Sequence, residues 1–220
     1  MPQTPPEGAG KLLLVRHGAT AHTAQGRFSG CTGLDPELSP AGRDQARLLA
    51  AELRRRHTEP AQPTLTAVVS SPVRRARETA ATVADALELT AHVDDDLREI
   101  DFGDWEGCTV EDVDSRWPGR LPAWRADASL RAPGGESVAE VARRVRGARR
   151  RLSERHAGAA VLMVSHLYPV RLSVLDALGA PLEAVHRMVH EPTAVSELSM
   201  RNGTWARVRY NDSGHLRREV

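Results

Sequence analysis

The stretch KLLLVRHGAT, residues 11–20, opens as a short continuous apolar run and ends on Arg16-His17-Gly18. An apolar run without alternation is the pattern of a strand buried on both faces. The segment 18–38 that follows is rich in Gly, Thr and Ser, and is long enough for a connection to point to function. Ser39-Pro40 then predicts the start of a helix of about 18 residues, with Ser as N-cap and Pro at the first helical position.

The same unit recurs down the chain. LTAVVS (65–70) reads as a strand, and Ser71-Pro72 predicts the cap of a helix running to about Leu89. A short strand near 91–93 precedes an acidic, aromatic loop over 94–108. Two short helices are expected over 109–116 and 120–127, and Pro133-Gly134-Gly135 marks a turn. Ser137 and Glu140 form a capping box for a helix to about His156. AAVLMVS (159–165) is the third apolar strand and ends at His166, with a helix from about Pro169 to Leu178. Segments 193–200 and 204–210, joined by Arg201-Asn202-Gly203, read as a hairpin on a sheet edge. Strand–helix alternation with buried-strand patterns predicts a three-layer α/β/α sandwich with a largely parallel central sheet. The expected organisation is one domain over 11–215, a disordered arm at 1–10 and a short tail at 216–220.

Composition narrows the function classes. The chain has 220 residues, 40% apolar and 27% charged, a globular balance with enough length to bury a core unaided. The formal net charge is only +1, although 29 of the 30 basic residues are arginine. A nucleic-acid binder usually carries a large basic excess, so none is expected as a partner. Cys31 and Cys108 form no C-x-x-C unit and read as reduced thiols, which points to the cytoplasm. The start carries no hydrophobic signal segment, and no apolar run approaches the roughly 20 residues that span a bilayer. No H-x-H-x-D or H-E-x-x-H cluster occurs, so neither metal nor cofactor is expected. The edge hairpin leaves a homodimer open.

Ligands of open α/β sheets bind beyond the carboxyl ends of the strands. Three strands here end in polar, reactive residues: Arg16-His17-Gly18, Ser70-Ser71 and Ser165-His166. Arg75 falls in the first turn of the second long helix, from which it can reach the same crevice. Two arginines, two histidines and helix N-termini describe a phosphate pocket with a nucleophile inside it. Arginine grips a phosphoryl dianion through a planar fork. A neutral imidazole nitrogen can attack phosphorus, provided its other nitrogen is held by an acceptor such as a backbone carbonyl. A carboxylic acid is then needed to protonate the leaving oxygen and to activate water.

These residues also carry a resemblance. LLLVRHGAT (12–20) resembles the signature of the histidine phosphatase, or phosphoglycerate-mutase-like, superfamily. The likeness continues in order through GRFSGCTGLDPELSPAGRDQA (26–46), VVSSPVRRARETA (68–80), LREIDFGDWEG (97–107), PGGES (133–137) and VLMVSH (161–166). The resemblance implies that His17 is the phosphorylated nucleophile and that Arg16, Arg75 and His166 complete the phosphate pocket. It makes Glu99 the general acid and base. Thr23, Ser29, Gly30, Leu167 (through its backbone N–H), Trp105 and Tyr168 are the further candidates for phosphate or substrate contacts. Within the superfamily the sequence resembles the phosphatase type that includes alpha-ribazole phosphatases and actinobacterial acid-phosphatase domains. Mutases of the superfamily have a longer insertion between the acid and the second histidine, and only 67 positions separate Glu99 from His166, which favours hydrolysis over mutase chemistry. The implied activity is hydrolysis of a small phosphorylated metabolite. A phosphoglycerate-type mutase and a catalytically weak phospho-ligand-binding protein are the alternatives.

Two positions depart from the family pattern. Thr23 stands where members often have Asn, and Leu167-Tyr168 stand where many have two glycines. Other features take plainer readings. Arg74 and Arg77 are expected on a solvated helix face, as is RRVRGARRR (143–151), and His22 is a loop histidine. Trp117 is expected in the core.

Overall fold

The computed structural model describes residues 10–57, 63–201 and 204–217. The helices are α1 (Ala21–Ala24), α2 (Pro40–His57), α3 (Arg74–Ala86), α4 (Val110–Arg116), α5 (Arg120–Ala126), α6 (Val138–Arg155) and α7 (Leu167–Leu178). The strands are β1 (Lys11–Arg16), β2 (Leu65–Ser70), β3 (Ala91–Val93), β4 (Ala160–Ser165), β5 (Val195–Arg201) and β6 (Thr204–Asp212). They form one sheet in the order β3-β2-β4-β1-β5-β6. The first four run parallel, while β5 pairs antiparallel with β1 and with β6, so the expected hairpin does sit on a sheet edge.

Both faces of the sheet are covered, as the unbroken apolar strands require. Leu13, Val15, Val68, Leu162 and Val164 pack against Leu49 and Leu53 of α2 and Ala76, Ala80 and Val83 of α3. Leu12, Leu14, Val161 and Met163 pack on the other side against Ala148 and Leu152 of α6 and Val170 and Val174 of α7. A third apolar cluster lies outside the sheet, where α4 and α5 close over Phe102, Trp105, Trp124 and Tyr168. Trp117 packs against this cluster from a partly buried position.

The register of the central strands sets the site. Arg16 pairs with Ser165 across β1 and β4, so His17 and His166 follow as neighbours at the carboxyl edge. The chain leaves β1 for α2 on one face and leaves β4 for α7 on the other, and a crevice opens between them. Gly18 allows the backbone of α2 to approach closely there. A Cβ on Gly18 would lie 2.4 Å from Gly42 O in the first turn of α2, and one on Gly42 would lie 2.0 Å from Ala19 O.

Several boundaries differ from the sequence reading. The helix after β2 starts at Arg74, not at Ser71-Pro72, and Ser71 makes no cap. The helix after β4 starts at Leu167 with His166 as its N-cap residue, two positions earlier than Pro169 implies. The acidic loop holds two 3-10 turns, Asp95–Leu97 and Gly103–Trp105. Residues 1–9 of the expected arm, the Asn202-Gly203 turn and residues 218–220 of the tail lie outside the described residues. Leu216 and Arg217, placed in the tail by sequence, belong to a 3-10 turn over Gly214–Arg217.

Candidate active site

A cavity of about 210 Å³ opens at the carboxyl end of β1. Of the residues singled out in the sequence, Arg16, His17, Thr23, Ser29, Arg75, Glu99, Leu167 and Tyr168 line it, and His166 stands behind His17 and is not among its lining residues. Thr20, Arg27, Phe28, Phe102, Val110 and Arg125 also line it, without having been singled out in the sequence.

His17 Nδ1 donates to Gly18 O at 2.7 Å, which leaves Nε2 as a lone-pair nitrogen. Arg75 Nε donates to that Nε2 at 3.0 Å. Burial, reinforced by Arg75 and Arg16, holds His17 well below the ordinary imidazole value, so the ring is neutral. The His166 ring packs edge-on at 5.0 Å between centroids. His166 is also held well below its ordinary value, by burial first and then by Arg75. Its Nε2 lies 2.7 Å from Ser71 Oγ, and its Nδ1 is buried without a protein partner among the described residues.

Two guanidiniums flank the histidines. Arg75 donates Nη2 to Ser29 O at 2.9 Å and to Gly30 O at 2.8 Å. Gly30 therefore stands behind Arg75 and is not among the lining residues of the cavity. Its amide is tied to Glu106 Oε2 at 2.9 Å, and a Cβ there would lie 2.0 Å from Glu106 Oε1. Burial pushes the Glu106 carboxyl up to about 7. Arg16 donates Nη1 to His190 O at 3.0 Å. Burial brings Arg16 down to about 10, with Glu99 opposing the shift. Arg16 Nε and Arg75 Nη1 are buried without hydrogen-bond partners among the described residues. Buried donors of this kind are costly unless a ligand or water meets them.

Glu99 is fully buried and accepts three amides: Ile100 N at 3.0 Å, Leu167 N at 2.9 Å and Tyr168 N at 3.2 Å. Burial outweighs these donors and the two arginines, and raises the carboxyl above its ordinary value. The Leu167 N–H, expected to face phosphate, is thus given to Glu99. Thr23 lines the cavity, but its hydroxyl closes the α1 capping box with Thr20. Tyr168 forms a wall, with its hydroxyl 3.4 Å from His186 Nδ1.

Trp105 does not reach the substrate region. It is 1% exposed and stacks edge-on against Trp124 inside the third cluster, because its side chain points inward from the 3-10 turn. The arginine-rich helix is not a wholly solvated face either. Arg144 turns inward to the carbonyls of Asp96, Arg98 and Glu99, and to Glu136. Arg149 is buried on Ser173 O and Asp176, with Trp205 against it. Arg74 does pair at the surface, with Glu37 and Glu78. Ser71 and Arg144 are the supports that sequence reasoning missed. Ser71 was visible as a strand-end hydroxyl, whereas nothing in a run of arginines marks which one turns inward.

Comparison with known proteins adds the following. Residues 12–213 match the family model for the histidine phosphatase superfamily (branch 1). The chain is 43% identical over 178 residues to a bifunctional protein of Mycobacterium tuberculosis, covering 81% of this chain but 47% of the relative. It therefore spans about half the length of that relative. Phosphoserine phosphatase 1 of Hydrogenobacter thermophilus is 38% identical over 173 residues, 78% of either chain. A solved mycobacterial glucosyl-3-phosphoglycerate phosphatase complexed with VO3 superposes with a TM-score of 0.79 at 32% identity, over 92% of this chain and 99% of that one.

Proposed function

Because the chain belongs to the histidine phosphatase superfamily, branch 1, we propose that it is a phosphomonoesterase acting on a small phosphorylated metabolite through a phosphohistidine at His17. One observation carries the reading. His17 is neutral, pinned through Nδ1, and presents the Nε2 lone pair beside buried arginine nitrogens, Arg16 Nε and Arg75 Nη1, that have no hydrogen-bond partner among the described residues. The phosphatase names of the relatives support the same reaction class.

In this mechanism a phosphoryl dianion takes up Arg16 Nε, Arg75 and His166 Nδ1, and relieves Arg75 Nε from His17. Nε2 then attacks phosphorus in line, forming the N–P bond as the ester P–O bond breaks. Glu99, whose carboxyl burial raises above its ordinary value, gives its proton to the leaving oxygen. The ionised carboxylate next takes a proton from water as that oxygen attacks phosphorus and the N–P bond breaks. The products are the alcohol and inorganic phosphate. No step calls on a metal, and action in the cytoplasm belongs to the same proposal.

His17→Ala tests the mechanism. Hydrolysis of phenyl phosphate should vanish while the circular dichroism spectrum and thermal midpoint stay unchanged. Turnover at the unmutated rate would overturn the mechanism. Brief incubation of the unmutated protein with labelled substrate should trap acid-labile phosphate on His17. Release of inorganic phosphate without isomer formation from phosphoglycerate separates hydrolysis from mutase chemistry. A chelator should leave the rate unchanged.

A further inference from the structure

Glu106 is a carboxyl that the chemistry at His17 leaves unused. It is not among the lining residues of the cavity, so it meets no ligand there. Its Oε2 accepts the Gly30 amide at 2.9 Å, and its Oε1 is buried without a hydrogen-bond partner among the described residues. A buried acceptor left without a donor is costly, and here the carboxyl is spent on one amide. That amide belongs to the Ser29–Gly30 peptide, whose carbonyl, Ser29 O, accepts Arg75 Nη2 at 2.9 Å. Gly30 O accepts the same nitrogen at 2.8 Å. One peptide plane therefore joins the Glu106 carboxyl on its N–H side to the Arg75 guanidinium on its C=O side. Hydrogen bonds linked in this way polarise one another.

The two carbonyls decide which edge of the guanidinium faces the cavity. Nη2 spends both of its hydrogens on them, and Nε gives its own to His17 Nε2. Nη1 is left over, buried and without a hydrogen bond, and Asp35 Oδ1 at 4.0 Å is too far away to make one. The carbonyls in turn depend on Glu106. Among the described residues, the backbone of Ser29, Gly30 and Cys31 bonds only to Glu106 and Arg75. Pairing with the neighbouring chain stops at Phe28, whose N–H and C=O meet Cys108 O and Gly107 N at 2.8 Å each. Glu106 itself is well anchored. Its amide donates to Gly103 O at 3.0 Å, and the preceding Trp105 is locked into the third apolar cluster.

We propose that Glu106 is a positioning residue for the reaction: acting through the Ser29–Gly30 peptide, it sets the edge of the Arg75 guanidinium that meets the phosphoryl group. The proposal rests on the phosphatase reading of the His17 site. Burial, with Asp101 adding to it, pushes the Glu106 carboxyl up to about 7, while the Gly30 and Phe102 amides and Arg75 oppose the rise. A proton taken up there has Oε1 to sit on, so Oε2 stays an acceptor for Gly30 in either state. The contact depends on an acceptor at that place and not on a full negative charge.

The Kd of inorganic phosphate, measured by calorimetry at one pH, tests it. Glu106→Ala should weaken binding about tenfold, the scale of one charge-assisted hydrogen bond. Glu106→Gln keeps an acceptor for Gly30 and should return Kd to within about twofold of the unmutated value. Glu106→Met, which fills the space without an acceptor, should behave as alanine does and serves if the alanine variant does not fold. In an Arg75→Lys background, whose ammonium cannot span the two carbonyls, the Glu106 substitution should cost less than about twofold more. Kd is a property of the folded fraction, so loss of folded protein does not imitate these shifts. kcat/KM for phenyl phosphate should follow the same order of variants. An unchanged Kd in the alanine and methionine variants, no recovery with glutamine, or the same tenfold loss beside Arg75→Lys would overturn the proposal and leave the phosphatase reading standing. Phosphate affinities in the expected order, from a protein that does not hydrolyse phenyl phosphate, would overturn the phosphatase reading and leave Glu106 as the support of a phosphate-binding arginine. Absence of phosphate binding by the unmutated protein would overturn both.

Discussion

Ser71 Oγ lies 2.7 Å from His166 Nε2 and also accepts the Val73 amide at 3.2 Å. Its single proton is then available for Nε2, which leaves the imidazole proton on the unpartnered Nδ1, ready for a phosphoryl oxygen. Ser71→Ala should lower kcat about tenfold, the scale of one lost buried hydrogen bond, with Ser71→Thr restoring most of it. An unchanged kcat in the alanine variant would remove Ser71 from the mechanism. Glu99 and His17 make a second residue-scale prediction. Turnover needs His17 neutral, which holds above its lowered value, and Glu99 protonated, which holds below its raised one. The rate should therefore fall as pH rises through the Glu99 value. Glu99→Gln should lose that limb of the pH profile and slow ethyl phosphate far more than phenyl phosphate, whose leaving oxygen needs less help. Comparing variant with unmutated protein on one substrate cancels the ionisation of the substrate. At this scale the sequence was most legible where side chain and motif coincide. His17, Arg75 and Glu99 stand where their blocks imply. Trp105 sits in an equally recognisable block, yet inward packing took it from the site, and no local pattern distinguishes a core tryptophan from a lining one.

At the scale of elements, α6 does more than cover the sheet. Arg144 donates to the carbonyls of Asp96, Arg98 and Glu99 and holds Glu136, so one side chain shapes the backbone from which Glu99 projects. Arg144→Ala leaves those carbonyls without their donor and leaves Glu136 to Arg98 and the Asp101 amide. It should cost about 3 kcal/mol in urea denaturation and reduce kcat as Glu99 shifts. Arg144→Lys should recover only part of either, since an ammonium cannot span the fork. Loss of stability with kcat unaffected would show that α6 supports the fold without positioning the acid. Strands and long helices were legible because periodicity and caps are local: the Ser137–Glu140 box forms as expected. The start of α3 was not, because Ser71 bonds His166, a partner 95 residues away. Tertiary demand likewise took Arg144 and Arg149 out of a run that reads as surface.

For the whole molecule, the net charge of +1 conceals a strongly uneven distribution. Arg74 is paired with Glu37 and Glu78, Arg151 with Asp94 and Asp96, Arg146 and Arg149 with Asp176, and Arg56 with Glu52 and Asp212. These pairs cancel at short range, so beyond a few ångströms they attract no polyanion. The cavity arginines act differently, because they meet a ligand at contact, between apolar walls where the Coulomb attraction is less screened. Contact distances of about 3 Å are well inside the screening length of about 10 Å at 0.1 M salt. Binding at the site should therefore survive salt, and the paired arginines offer little long-range steering for salt to remove. kcat/KM for phenyl phosphate should change less than about threefold between about 20 and about 200 mM sodium chloride, where steered encounters fall steeply. Varying viscosity at each salt concentration separates encounter from chemistry. A fall of an order of magnitude that tracks ionic strength and disappears when encounter is no longer limiting would mean that surface arginines do guide the substrate. Their pairing with acids would then be looser in solution than the bonded geometry implies.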